Sequence, residues 1–182
     1  MIFSFLSGKP SLFDVTTLGV PNYYSTYKLS DGSIANIQLM DTAGEEQFRA
    51  ITTNYYRKAD CCLLVYDITN KRSFEEIKNY FNYNIKEKCK KGIRVIVLGN
   101  KTDLEEKREV PSEEGATFCL QNDYIFMETS CLKNRNVADA FETLIEMTHI
   151  EAMKNKLNKE QNLNILNISN RGNNRECCYS LN

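Results

Sequence analysis

Three short stretches combine carboxylates, amides, hydroxyls and glycine in a way that suits nucleotide chemistry. Asp41-Thr42-Ala43-Gly44 offers a carboxylate able to hold Mg²⁺ through water, followed by a glycine whose N–H can approach a phosphate closely. Asn100-Lys101-Thr102-Asp103 ends in a carboxylate that can accept two N–H donors from the edge of guanine, an arrangement adenine does not present. Glu128-Thr129-Ser130-Cys131 can close over a base from the far side with its backbone. A fourth stretch, Ser7-Gly8-Lys9-Pro10-Ser11, imitates the end of a phosphate-binding loop, G-x-x-x-x-G-K-[ST]. The imitation fails. Phe3 stands where the first glycine belongs, Pro10 where a hydroxyl residue must ligate metal, and no strand precedes the segment.

Such residues work only if strand ends position them, because ligands of open α/β sheets bind at the carboxyl edge. The segments 22–30 and 33–40 alternate as two strands, and Asp31-Gly32 between them predicts a hairpin. The run 61–69 is continuously apolar, as a strand covered on both faces should be. Ser73 and Glu76 form a capping-box pattern ahead of Phe74, Ile77, Phe81 and Ile85 on one helical face, and Gly92 is a C-cap candidate. A second buried strand follows at 93–100, then a short helix at 111–120 and a strand at 124–130. The last helix carries Val137, Ala140, Phe141, Leu144 and Ile145 at helical spacing behind a cap at Asn136. Strand and helix alternate, which predicts an α/β fold with a mostly parallel sheet and helices on both faces. From Asn155 the pattern stops, and the Asn-rich remainder reads as a flexible tail.

The composition agrees with one domain at residues 1–154 and a tail at 155–182. A formal charge of −1 gives no pull toward nucleic acid, and none is expected as a partner. The apolar start lacks a secretory leader's basic flank, and no apolar run is long enough to span a bilayer. The seven cysteines lack framework spacing, and Cys61, Cys62, Cys89 and Cys119 read as buried small hydrophobes in a reducing compartment. In such a compartment the glycosylation sequons at Asn100 and Asn167 are decoys.

The three stretches, in this order and at successive strand ends, resemble the Rab branch of the Ras-like small GTPases. The likeness runs from residue 5 to 154 and returns at the extreme terminus; 16–20 looks like a first switch, 47–59 like a second switch, and 63–69 like a run typical of Rabs. The resemblance implies a Ras-like P-loop GTPase fold and a switch in vesicle trafficking that binds GTP or GDP with Mg²⁺ and hydrolyses GTP. It implies that Thr17 ligates Mg²⁺ and senses the γ-phosphate, that Asp41 holds the metal through water, and that the Gly44 backbone meets the γ-phosphate. Asn100, Lys101 and Asp103 would grip guanine, with Ser130, Cys131 and Leu132 beside it. Cys177 and Cys178 resemble the terminus that receives two geranylgeranyl groups, which would place the protein on the cytoplasmic face of intracellular membranes. Effectors, exchange factors, GTPase-activating proteins and the prenylation machinery are the implied partners.

Three residues depart from the family's pattern. Glu45 stands where the family places the catalytic glutamine, Met40 where Rabs carry tryptophan, and Leu132 where they carry lysine beside the base. The alignment also puts Phe5 near the end of the family's first helix, so the chain reads as shortened at its N-terminus, without the first strand and true phosphate loop. An alternative reading is a non-enzymatic binding module that keeps the switch and tail surfaces but not the nucleotide.

Overall fold

The computed structural model describes residues 1–9, 22–41 and 56–171, with side chains through residue 160. The chain divides into two compact units, Met1–Thr148 and His149–Asn182. In the first, helix α1 (Ile2–Ser7) ends at Gly8, whose left-handed φ of 63° makes it the C-cap. Strands β1 (Asn22–Lys28) and β2 (Ile34–Met40) pair antiparallel, from Asn22 opposite Met40 to Lys28 opposite Ile34. The predicted turn joins them: Gly32 adopts φ 86°, and the Asp31 carboxylate accepts from the Ser33 N–H at 2.9 Å.

Strand β3 (Cys61–Asp67) leads through Asn70 into helix α2 (Lys71–Glu76). The start lies earlier than the Ser73–Glu76 pattern suggested. Asn70 is the N-cap, its side chain accepting from the Ser73 N–H, so Ser73 already lies inside the helix. A π-helical turn (Ile77–Phe81) joins α2 to α3 (Asn82–Lys88), and Phe74, Ile77 and Ile85 are buried as the periodicity required. Cys89, in extended conformation, ends α3; Gly92, with φ 78°, serves the turn into the next strand instead.

Strand β4 (Arg94–Asn100) is followed by a 3₁₀ segment (Thr102–Lys107), helix α4 (Ser112–Asn122), strand β5 (Ile125–Glu128) and helix α5 (Val137–Arg171). β3, β4 and β5 form one parallel sheet in that order, and the hairpin is a separate two-stranded sheet. The alternation of side chains along β4 explains its unbroken apolar run. Val95 and Val97 face Phe74, Ile77, Ile85, Phe118 and Cys119 on one side, while Ile96 and Leu98 face Ala140 and Leu144 on the other. Helices therefore cover both faces. α1 joins the second layer through Phe5, whose ring stacks on Phe141 at a centroid distance of 4.2 Å. The hairpin's tip is tied to α5 by Glu146, which accepts from Ser30 N–H at 2.7 Å and Ser30 Oγ at 2.9 Å.

In the second unit the α5 helix continues to Arg171, taking the place of irregular chain expected from Asn155. A nucleated helix gains one backbone bond per added residue, so it propagates without an apolar face to bury. Among the described residues no helix is long and apolar enough to cross a membrane.

Candidate functional site

The carboxyl ends of β4 and β5 bring the second and third motifs together. Thr129 N–H donates to Gly99 O at 2.9 Å, which carries the sheet pairing one residue past β5. The chain then turns, and Ser130 and Arg135 bond each other through their backbones at 3.1 and 2.9 Å. That bridge closes a small loop containing Cys131 and Leu132, with Asn134 at φ 50° and Asn136 at φ 57°. Asn136 accepts the first helical bond of α5 on its backbone oxygen, from Ala140 N–H at 3.2 Å, while its side-chain amide donates to Glu128 O at 2.9 Å and pins the loop's base. Leu132, half exposed, stands on the loop's outer side.

Asn100 is the clasp between the two motifs. Its Oδ1 accepts from Thr129 Oγ1 at 3.2 Å and from Cys131 N–H at 3.4 Å. Thr102 adds two bonds to Thr129 O, from its backbone N–H at 3.2 Å and its hydroxyl at 3.1 Å. Asp103 lies between them. Its Oδ1 accepts from Ser130 Oγ, and Ser130 Oγ accepts from Lys133 N–H at 3.0 Å. The hydroxyl thus gives its one proton to the Asp103 carboxylate and takes the Lys133 N–H on a lone pair. Ser130 and Thr129 are fully buried, and a buried hydroxyl left unmatched costs about 1–3 kcal/mol, so the network fixes the carboxylate's direction. The result is an oriented acceptor at a strand edge beside a closing loop. That arrangement suits a ring edge presenting two N–H groups.

Lys101 points the other way. Its backbone is left-handed at φ 69°, and its ammonium pairs with Asp67 Oδ2 at 2.9 Å. Asp67 ends β3 directly opposite Asn100 in the sheet register. Its Oδ1 accepts from Thr69 N–H at 2.9 Å and Thr69 Oγ1 at 2.7 Å. Partial burial pushes the Asp67 carboxyl upward, but the Lys101 and Thr69 bonds outweigh burial and hold it below the usual aspartate value. The sequence carried a hint of this: an acidic residue ending an apolar strand, with Thr two positions on, is an Asx-turn pattern. Arg135 gave no comparable hint, yet its guanidinium donates to Thr102 Oγ1 at 2.8 Å. Glu128 turns away from the loop and binds Arg108 at 2.8 Å, sharing it with Glu105 at 2.7 Å.

At the other motifs the picture is local. Asp41 directly follows β2, at that strand's carboxyl end, as the sequence placed it. Thr17, Gly44, Glu45, Cys177 and Cys178 lie outside the described residues. Among the described residues no group of three His, Cys, Asp or Glu side chains could hold a metal ion. Gly8 and Lys9 follow a helix rather than a strand, and Lys9 N–H folds back to Ser7 Oγ at 3.2 Å. A phosphate loop needs the reverse order, with donors opening a helix N-terminus. The described residues thus offer an oriented acceptor at the sheet's carboxyl edge and no glycine-rich cradle for phosphates.

An α/β domain with a parallel sheet and an Asn-Lys-Thr-Asp loop clasped to a Ser-Cys loop at its carboxyl edge defines a guanine-nucleotide-binding class of protein. Comparison with known proteins gives the same class: the Ras family matches residues 1–150. The chain is 39% identical over 166 residues to the "Ras-related protein Rab-8" of Diplobatis ommata, covering 91% of this chain and 76% of that one. It is 41% identical over 158 residues to "Ras-related protein Rab-8A" of Bos taurus, covering 87% and 73%. It is 38% identical over 162 residues to "Ras-related protein Rab-8B" of Homo sapiens, covering 89% and 75%. The chain belongs to the Ras family of small GTPases and is similar to its Rab members, and GTP hydrolysis is the activity of that family. A non-enzymatic binding module finds no support in these comparisons.

Proposed function

We propose that this protein is a Rab-like molecular switch in vesicle trafficking, binding GTP and GDP with Mg²⁺ and hydrolysing GTP slowly. The observation that carries the reading is the Asp103 carboxylate, aimed by Ser130 and bracketed by the Asn100 clasp at the sheet's carboxyl edge. In this reading Asp103 accepts the two N–H groups of guanine, Asn100 and Lys101 shape the pocket's floor, and Ser130, Cys131 and Leu132 close its far side. Thr17 and Asp41 would hold Mg²⁺, the latter through water, and the Gly44 backbone would meet the γ-phosphate. Bound Mg²⁺ would offset phosphate charge, which is where phosphoryl transfer draws most of its catalysis. Glu45, at the glutamine position, would slow hydrolysis and prolong the GTP state.

The domain of this reading is residues 1–154, with 155–182 as the tail. Cys177 and Cys178 would accept two prenyl chains from the prenylation machinery, because one chain gives only marginal membrane binding and two give stable anchoring. The protein would then work on the cytoplasmic face of intracellular membranes, meeting effectors, exchange factors and GTPase-activating proteins through its switch segments. Calorimetric titration of the full chain with GDP, GTP and ADP tests the core of the proposal. Guanine nucleotides should bind with Mg²⁺ dependence and ADP should not; equal binding of GDP and ADP would refute it.

A further inference from the structure

We propose that Asp67 is a positioning residue for nucleotide binding, acting through Lys101 to hold the Asn100–Asp103 loop open at the correct height above the sheet. The proposal rests on the guanine-binding reading of that loop. It adds a residue that belongs to none of the three motifs.

The loop is anchored on two sides by different chemistry. Toward β5, Asn100 and Thr102 make five bonds to the Thr129–Cys131 backbone and side chains, at 3.1 to 3.4 Å. Toward β3, Ile68 N–H donates to Asn100 O at 3.0 Å, and the Lys101 side chain reaches back to Asp67. The two partners are 41% and 21% exposed in their side chains, so the pair is neither free in water nor sealed. A pair in such surroundings matters when its geometry is fixed beforehand. Here it is. Thr69 takes Oδ1 with two donors, and Ser73 Oγ, which donates to Asn70 O at 2.7 Å, accepts from Asp67 N–H at 3.1 Å. The carboxylate therefore cannot rotate to follow Lys101; Lys101 must come to it. Because Lys101 is in the left-handed region, which side chains disfavour, the loop needs a tether that keeps it there. With its ammonium held at the end of β3, Lys101 links that strand end to the loop that follows β4.

Asparagine at position 67 isolates this role. Its amide oxygen can keep both Thr69 donors, which turns the amide NH₂ toward the Lys101 ammonium, donor against donor. The strand end survives while the tether is lost. The test is titration of the full chain with GDP for the wild type, Asp67→Asn, Lys101→Met and the double variant, with melting temperatures alongside. Asp67→Asn should weaken GDP binding roughly tenfold, as expected for loss of a charge-assisted bond, and the double variant should bind no worse than Lys101→Met alone. A purely structural role would lower the melting temperature and let the two affinity losses multiply, and that result overturns the proposal. Unchanged affinity in Asp67→Asn overturns it too. If Asp67→Asn does not fold, Thr69→Val, which removes one of the two Oδ1 donors, should still weaken GDP severalfold, and no change would overturn the proposal. Asp103→Ala serves as the parent control. If wild type and Asp103→Ala bind GDP equally, the guanine reading and this inference fall together; if they differ while Asp67→Asn matches wild type, only this inference falls.

Discussion

Asp103→Asn should invert the base preference, and the structure says which way the new amide will face. Ser130 Oγ accepts from Lys133 N–H and donates its one proton to the Asp103 carboxylate. An asparagine there keeps its oxygen on Ser130, which places its NH₂ where the second carboxylate oxygen was. Guanine would then present two N–H groups to one N–H donor and no acceptor. Each buried donor left unmatched costs about 1–3 kcal/mol, and charge assistance is lost as well. The sum is about 3 kcal/mol, or roughly a hundredfold in affinity at 1.4 kcal/mol per decade. Xanthine carries a carbonyl at the place of guanine's exocyclic amine and so accepts from the new amide. Competitive calorimetry with GDP and XDP reads the ratio directly: the wild type should favour GDP and the variant XDP. Adding Ser130→Ala should blunt the inversion, because the amide can then turn over. An unchanged GDP-to-XDP ratio in Asp103→Asn would refute the assignment of Asp103 to the base edge.

Single-turnover assays should show faster GTP hydrolysis by Glu45→Gln than by the natural chain, by severalfold or more, because in the proposed role a carboxylate at that position would meet the charge of the transferring phosphoryl group. Tyr66→Phe should raise stability by about 1 kcal/mol, since the Tyr66 hydroxyl is buried with no hydrogen-bond partner among the described residues; thermal unfolding checks it. Gly115→Ala should lower stability by about 1–3 kcal/mol despite its better helix propensity, because a Cβ there would sit 2.6 Å from the Phe126 ring and 2.8 Å from Tyr66 Oη. Asp67 titrates below its ordinary value of 3.8 when folded, so the unfolded chain binds the proton first as pH falls. Its stabilisation is complete above about pH 4 and disappears as pH drops through the folded value; denaturant unfolding of Asp67→Asn should show a flatter acid limb than wild type.

Local chemistry determined much of this protein. The hairpin was legible because Asp31-Gly32 supplies a positive φ and a capping carboxylate within four residues of chain. The strands β3 and β4 were legible because a strand covered on both faces must be apolar throughout, and the helix from 71 to 88 because Phe74, Ile77 and Ile85 recur at its period. The motif residues 100–103 and 128–131 could be picked out by type and order alone, since base recognition demands those groups at strand ends. Where one residue competed with a neighbour for the same backbone donor, sequence misjudged the detail. Asn70 rather than Ser73 caps α2, and Gly92 serves a turn rather than a helix end, because both choices depend on where the preceding strand delivers the chain. The helix beyond residue 155 was missed for a related reason: propagation from a packed helix needs no apolar signal of its own. Only the tertiary structure joined the two motifs, through an Asn100 amide that reaches Thr129 and Cys131 across a strand gap. It alone paired Lys101 with Asp67, and Arg135 with Thr102. These contacts join residues about thirty positions apart in the chain, and they exist because parallel strands align their carboxyl ends however long the connection between them.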